Sequence, residues 1–211
     1  MPEQKLRELM CEVGQRMLGA HLVCATEGNL SARMPDGRLL CTPRGVSKGH
    51  LKPEDLVVVD LAGTPFGPGT PSSEILLHLE VYRQREDCMA VVHAHPPHAT
   101  AFAVAGETIP DHLTPEASAV LGSVPLAPFG FPGTTAVPQS ISRLIVDHKA
   151  ILLSHHGAVT LGRDLLDAYY RMETLEATAR LAWLTRALGG PSPLPADATE
   201  RLRSEFGNGQ L

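Results

Sequence analysis

Residues 88–106 read CMAVVHAHPPHATAFAVAG. Within this run, residues 89–95 mix β-branched, small apolar and histidine residues, which predicts a buried strand. Pro96 and Pro97 end it, and residues 99–105 predict a short helix. Strand alternation places His93 and His95 on one face, about 6–7 Å apart along the chain. The other face, Ala90, Val92 and Ala94, is small and apolar and can pack. Two imidazoles sharing a strand face can converge on one divalent ion. The plainer reading is a pair of core histidines satisfied by backbone groups.

A catalytic ion of this kind takes a third protein ligand and keeps one position open. Residues 150–154 (AILLS) predict another apolar strand, and His155, His156 and Gly157 follow it. If alternation continues, His155 and His156 face opposite sides, so one of them joins His93 and His95; parity does not choose between them. Gly157 is expected to let the backbone turn sharply past the ion. Glu74 is the candidate carboxylate. It ends PSSE (71–74), read as the first turn of a helix capped by Thr70, with Pro71 at its first position. Free N–H groups there, with the hydroxyls of Ser72 and Ser73, offer donors to a phosphate while Glu74 moves a proton. A capped helix with a dipole-stabilised glutamate is the simpler alternative. The turns at Gly28, Asn29 and at Arg44, Gly45 are further candidate phosphate contacts.

Farther out, residues 3–21 predict an amphipathic helix, and Asp36-Gly37 between two short runs predicts a hairpin. Residues 56–60 predict a buried strand, 63–71 a loop, 124–127 a weak strand and 134–147 a helix. A long helix over 164–188 is closed by Gly189, Gly190 and Pro191. It is apolar on two sides, so it is buried or lies at a subunit contact. Residues 191–211 read as a tail with one short helix. The elements lack a regular βαβ rhythm, so a parallel doubly wound sheet is not compelled.

The chain has 211 residues, 43% hydrophobic and 19% charged, which fits one domain over 1–211. Eighteen basic and 23 acidic residues give a net charge of −5, with no basic cluster, which argues against nucleic-acid and membrane-surface partners. The uncharged stretches 88–106 and 117–142 are broken by Pro and Gly and do not read as membrane helices. A charged N-terminus without an apolar run predicts no signal peptide. Four scattered cysteines suit a reducing cytoplasm.

Five segments, GNLSAR (28–33), TPRG (42–45), PSSE (71–74), VVHAHPPHATA (91–101) and SHHG (154–157), stand in an order that resembles the class II aldolase and adducin head-domain family, in its L-fuculose-phosphate aldolase branch. The resemblance runs from about residue 5 to 188. It implies a three-layer α/β/α fold with a mostly antiparallel central sheet, assembled as a homotetramer with active sites between subunits. It implies zinc, with manganese and cobalt as alternatives, held by His93, His95 and His156. Glu74 would be the acid/base residue, able to ligate the ion and swing aside for substrate. Gly28, Asn29, Gly45, Ser72 and Ser73 would line the phosphate pocket, joined by Arg44.

The implied reaction is reversible cleavage of a small ketose 1-phosphate into dihydroxyacetone phosphate and an aldehyde, the ion acting as Lewis acid. Sibling reactions are a pentulose-phosphate 4-epimerase, which typically carries aspartate where Glu74 stands, and a dehydratase of a sulfur-containing ketose phosphate. A non-catalytic adducin-like binding domain would lose the ligands that are present here. Two departures stand out. Arg44 replaces a family threonine, and an arginine can grip phosphate or carboxylate bidentately. Residues 109–116 (IPDHLTPE) carry no tyrosine where the family aldolase draws a proton donor from a neighbouring subunit. The polar residues there are His112, Thr114 and Glu116, and none is assigned that role. The tail offers Phe206 rather than tyrosine.

Overall fold

A computed structural model describes residues 1–206; the last five residues of the predicted tail lie outside it. In chain order the helices are α1 (Glu3–Gly19), α2 (Ile75–Gln84), α3 (Pro97–Ala105), α4 (Ala136–Ile141), α5 (Leu165–Arg186) and α6 (Ala196–Phe206). The strands are β1 (Asn29–Arg33), β2 (Leu39–Cys41), β3 (Val57–Val59), β4 (Pro65–Phe66), β5 (Ala90–Ala94), β6 (Leu126–Ala127), β7 (Ala150–Leu153) and β8 (Gly157–Gly162).

The strands form one sheet in the order β4-β3-β2-β1-β5-β8-β7-β6. Every pairing is antiparallel except β6 with β7. Two apolar cores lie on its two faces. One joins α1, α3 and α5 to Leu30, Leu40, Val92, Ala94, Leu152 and Ala158. The other joins α2 and α4 to Val57, Val59, Val91, Ile151 and Val159. This is the expected α/β/α sandwich on a mostly antiparallel sheet. Central strand β5 is buried along its whole length, so the predicted small face (Ala90, Val92, Ala94) packs against α5.

The hairpin at Gly37 and the start of the long helix at 164 are as predicted; Asp164 itself caps α5, its side chain accepting from the Asp167 N–H at 2.8 Å. Other elements differ. The loop over 63–71 contains edge strand β4, where Pro65 is tolerated because only β3 pairs with it. The strand predicted over 124–127 shrinks to β6, with Val124 in an isolated bridge to Ile109. The helix predicted over 134–147 is regular only over α4, and turns replace it afterwards. Its run of Val137, Ser140, Ile141 and Ser142 has low helix propensity.

The helix predicted to start at Pro71 begins at Ile75 instead. Pro71 is bridged to Pro43, the Ser72 N–H donates to Thr42 O, and the Arg44 N–H donates to Thr70 O. These tertiary bonds hold 70–72 extended and override the local capping signals. Ser72, Ser73 and Glu74 therefore form a turn that leads into α2 rather than its first turn.

Candidate metal centre

His93 is the penultimate residue of buried strand β5 and faces the α2 side of the sheet, as Val91 does two residues earlier. Across the strand pair it sits opposite Asn29 of β1. His95 follows directly. His156 arrives from the other side, in the tight turn that joins β7 to β8. His155 and His156 are thus in a turn, where strand alternation does not apply. His155 takes a left-handed conformation (φ 54°) and is exposed near the Phe129 ring, while His156 turns inward.

Two glycines make this approach possible. Gly28 has φ 72°, and a Cβ there would lie 2.9 Å from His93 O. At Gly157 the expected role was a sharp turn; the positive φ belongs to His155, and Gly157 provides space. A Cβ on it would lie 2.4 Å from Ala94 O and 2.6 Å from the His95 ring. Only a residue without a side chain lets the β8 backbone come this close to the strand end that carries His95.

The three rings sit edge to face with centroids 4.8–5.0 Å apart, and one nitrogen from each lies within 4.8 Å of the other two. His93 Nε2 and His95 Nε2 are 3.2 Å apart. Two nitrogens about 2.0–2.1 Å from a tetrahedral zinc are separated by about 3.4 Å, so this spacing fits one ion. The His93 Nδ1–H donates to Ala158 O at 2.9 Å, which leaves the Nε2 lone pair facing the cluster. Glu74 closes the group, with Oε2 3.2 Å from His93 Nε2 and Oε1 3.1 Å from His156 Nε2. Among the described residues, none donates a hydrogen bond to the buried Glu74 Oε1. A carboxylate oxygen and imidazole lone pairs crowded together in this way call for a cation.

The charges agree with that reading. Burial would raise the Glu74 pKa, but the His93 and His156 imidazoles outweigh it and hold the carboxyl far below the ordinary range. Burial, helped by its two neighbouring imidazoles, pushes His95 down to about 3, so it is neutral and free to ligate. Glu27 approaches its far side, 3.4 Å from Nδ1.

The predicted phosphate residues are gathered beside this centre by backbone bonds. The 42–45 turn is tied to 70–72 as above, and to β1 through Leu30 and Thr42. Asn29 Nδ2 donates to Glu74 Oε2 at 3.1 Å. Ser72 Oγ accepts from the Glu74 N–H at 3.3 Å, while Ser73 is exposed. Gly45 adopts φ 74°, and the exposed Arg44 side chain makes no ion pair among the described residues. His98, the third histidine of the 88–106 stretch, lies apart: it pairs with Glu176, which also caps the α3 N-terminus by accepting from the His98 and Ala99 N–H groups.

Two residues escaped the sequence reading. Lys48 is buried, and its Nζ donates to Thr26 O (2.9 Å) and Val46 O (2.6 Å), joining the loop before Gly28 to the loop after Gly45. Burial lowers its pKa to about 8, partly offset by Glu74. His78, four residues beyond Glu74 on α2, is buried against Asn29 and Ser31. Its helical spacing from Glu74 was the available signal; Lys48 offered none.

Residues 8–183 match the family of the class II aldolase and adducin N-terminal domain. The chain belongs to that family. A 3-oxo-tetronate 4-phosphate decarboxylase of Escherichia coli K12 is 37% identical over 186 residues, covering 86% of this chain and 88% of that protein. A 5-deoxy-D-ribulose 1-phosphate aldolase of Bacillus thuringiensis is 34% identical over 212 residues, covering 98% of each. Among solved structures, L-fuculose-1-phosphate aldolase from Thermus thermophilus superposes with a TM-score of 0.78 at 34% identity, covering 90% of this chain and 98% of that one. Class II aldolases depend on a divalent metal, and the His93, His95, His156 cluster is able to bind one.

Proposed function

We propose that the protein is a metal-dependent carbon–carbon lyase, an aldolase that cleaves a small ketose 1-phosphate to dihydroxyacetone phosphate and an aldehyde. The observation that carries this is the convergence of His93, His95 and His156 with Glu74 3.1–3.2 Å from two of them. His93, His95 and His156 would hold a divalent ion, zinc by preference, which supplies Lewis-acid stabilisation of charge developing on substrate oxygens. Glu74, already anionic and aimed at the cluster, accepts and returns the proton, assistance typically worth about 10²–10⁴-fold. Asn29 fixes its Oε2. Gly28, Gly45, Ser72, Ser73 and Arg44 receive the phosphate, and Lys48 holds the two loops of that pocket together. The proposed assembly is a homotetramer in the cytoplasm, with sites at subunit boundaries.

A second reading is favoured by one observation: residues 109–116 carry no tyrosine. The group that donates a proton in aldol condensation must, in cleavage, take the hydroxyl proton before the bond breaks, and that segment offers no tyrosine to do so. Loss of CO2 from a 3-oxo acid phosphate needs no such removal, and it leaves the same three-carbon ketone phosphate after one proton is taken up. Arg44 beside the pocket suits a substrate carboxylate.

The test is metal analysis of the purified protein with a screen of both substrate types. Dihydroxyacetone phosphate with an aldehyde supports the aldolase, and with CO2 the decarboxylase. Glu74→Gln is expected to keep the metal and lose at least about a hundredfold in kcat. Full activity in that variant removes Glu74 from the mechanism.

A further inference from the structure

Between α2 and β1 lies a buried file of polar side chains. His78 and Tyr82 stand four residues apart on α2, a rise of about 6 Å, with Glu74 four residues before His78 at the cap that precedes the helix, and Asn29 and Ser31 recur every two along β1, about 6.6 Å. The two repeats match, so the side chains interleave. Tyr82 OH lies 2.8 Å from Ser31 Oγ, and Ser31 Oγ lies 2.6 Å from His78 Nδ1. His78 Nε2 contacts Asn29 Oδ1, and Asn29 Nδ2 lies 3.1 Å from Glu74 Oε2. Ser31, His78 and Tyr82 are each at most 2% exposed.

Only one assignment of hydrogens satisfies this file when Glu74 is ionised. The carboxylate can only accept, so Asn29 turns its NH2 toward it and its carbonyl toward His78. His78 must then donate through Nε2 and accept through Nδ1 from the Ser31 hydroxyl, whose oxygen accepts in turn from Tyr82. Burial pushes His78 down to about 3, consistent with a neutral ring. Each member has one direction, and all point toward the carboxylate.

We propose that His78 is a positioning residue, locked as the neutral Nε2–H tautomer, whose task is to hold the Asn29 amide with its NH2 on Glu74 so that the carboxylate stays aimed at the centre. Without that donor the amide is free to flip and present its carbonyl to Glu74, which repels the carboxylate. The inference rests on Glu74 acting as the base, and part of its test does not.

The test has two arms. Imidazole nitrogen NMR on the metal-free protein is expected to show His78 with a protonated Nε2 and a bare Nδ1; the opposite tautomer, or an imidazolium at pH 7, overturns the proposal whatever Glu74 does. In kinetics, His78→Phe is expected to lower kcat about ten- to a hundredfold with KM within about threefold. His78→Gln keeps an N–H for Asn29 and is expected to recover kcat to within about threefold of the wild type. Equal kcat in the two variants, or a change confined to KM, overturns it. Should His78→Phe fail to fold, Ser31→Ala serves: losing the donor to Nδ1, it is expected to give a mixture of tautomers, and an unchanged single tautomer refutes the interlocked file.

Discussion

Replacing Gly157 by alanine adds a single methyl group where the structure leaves no room. The new Cβ would lie 2.4 Å from Ala94 O and 2.6 Å from the His95 Cδ2. An ordinary carbon–oxygen contact is about 3.3–3.6 Å, so β8 and the end of β5 must separate by about 1 Å. Both obstacles resist: one is backbone, and the other is a ring already packed against two others. Overpacking of this kind costs about 1–3 kcal/mol. Metal ligands tolerate deviations of only about 0.2 Å, so the displacement between His95 and His156 falls well outside that tolerance. We therefore expect Gly157→Ala to weaken metal binding by more than about a hundredfold while the sheet still forms. Chelator competition gives the affinity, and urea denaturation of the metal-free protein gives the stability. A variant that binds metal within twofold of wild type, with stability changed by less than about 0.5 kcal/mol, refutes the steric argument.

Replacing His93 or His156 by alanine is expected to abolish both bound metal and turnover, read by elemental analysis and the lyase assay; a variant that keeps one metal per chain contradicts the three-imidazole centre. Acid stability should carry the mark of His78. Its ring is neutral in the fold down to about pH 3 but takes a proton in the unfolded chain below its ordinary value of 6.5. Between these values the unfolded state binds more protons, so stability falls as pH drops and is unaffected above 6.5. At pH 4.5 that amounts to about 3 kcal/mol from the two-unit gap. His78→Gln should lose that much less stability than wild type between pH 7.5 and 4.5, and equal losses would be inconsistent with a buried neutral ring. Lys48→Met should raise KM for the phosphorylated substrate at least about tenfold and leave metal content unchanged, because the two pocket loops lose their shared ammonium; an unaltered KM would show that they hold without it.

How much was legible depended on whether a signal was local. Alternation through His93 and His95 was local, and the strand, its small packed face and the convergence of the pair followed from it. The Asp36-Gly37 hairpin and the start of the long helix at 164 were also marked by local signals. The start of α2 was not, because a bridge to Pro43, distant in sequence, decides the conformation of Pro71. The choice between His155 and His156 escaped parity because both fall in a turn with a left-handed residue at His155. Family resemblance, not spacing, singled out His156. His78 and Lys48 stayed hidden because their importance lies in burial against other segments, which composition does not record.

All three imidazoles and the carboxylate are carried by one polypeptide. Capture of the ion is therefore a property of the isolated protomer and should be indifferent to dilution. Turnover need not be: if a neighbouring copy completes the pocket, lowering the protein concentration would strip activity from molecules that remain fully loaded. A surface mutation on the exposed flank of α5, near Trp183 and Leu184, could then silence the enzyme without disturbing any group that touches the ion.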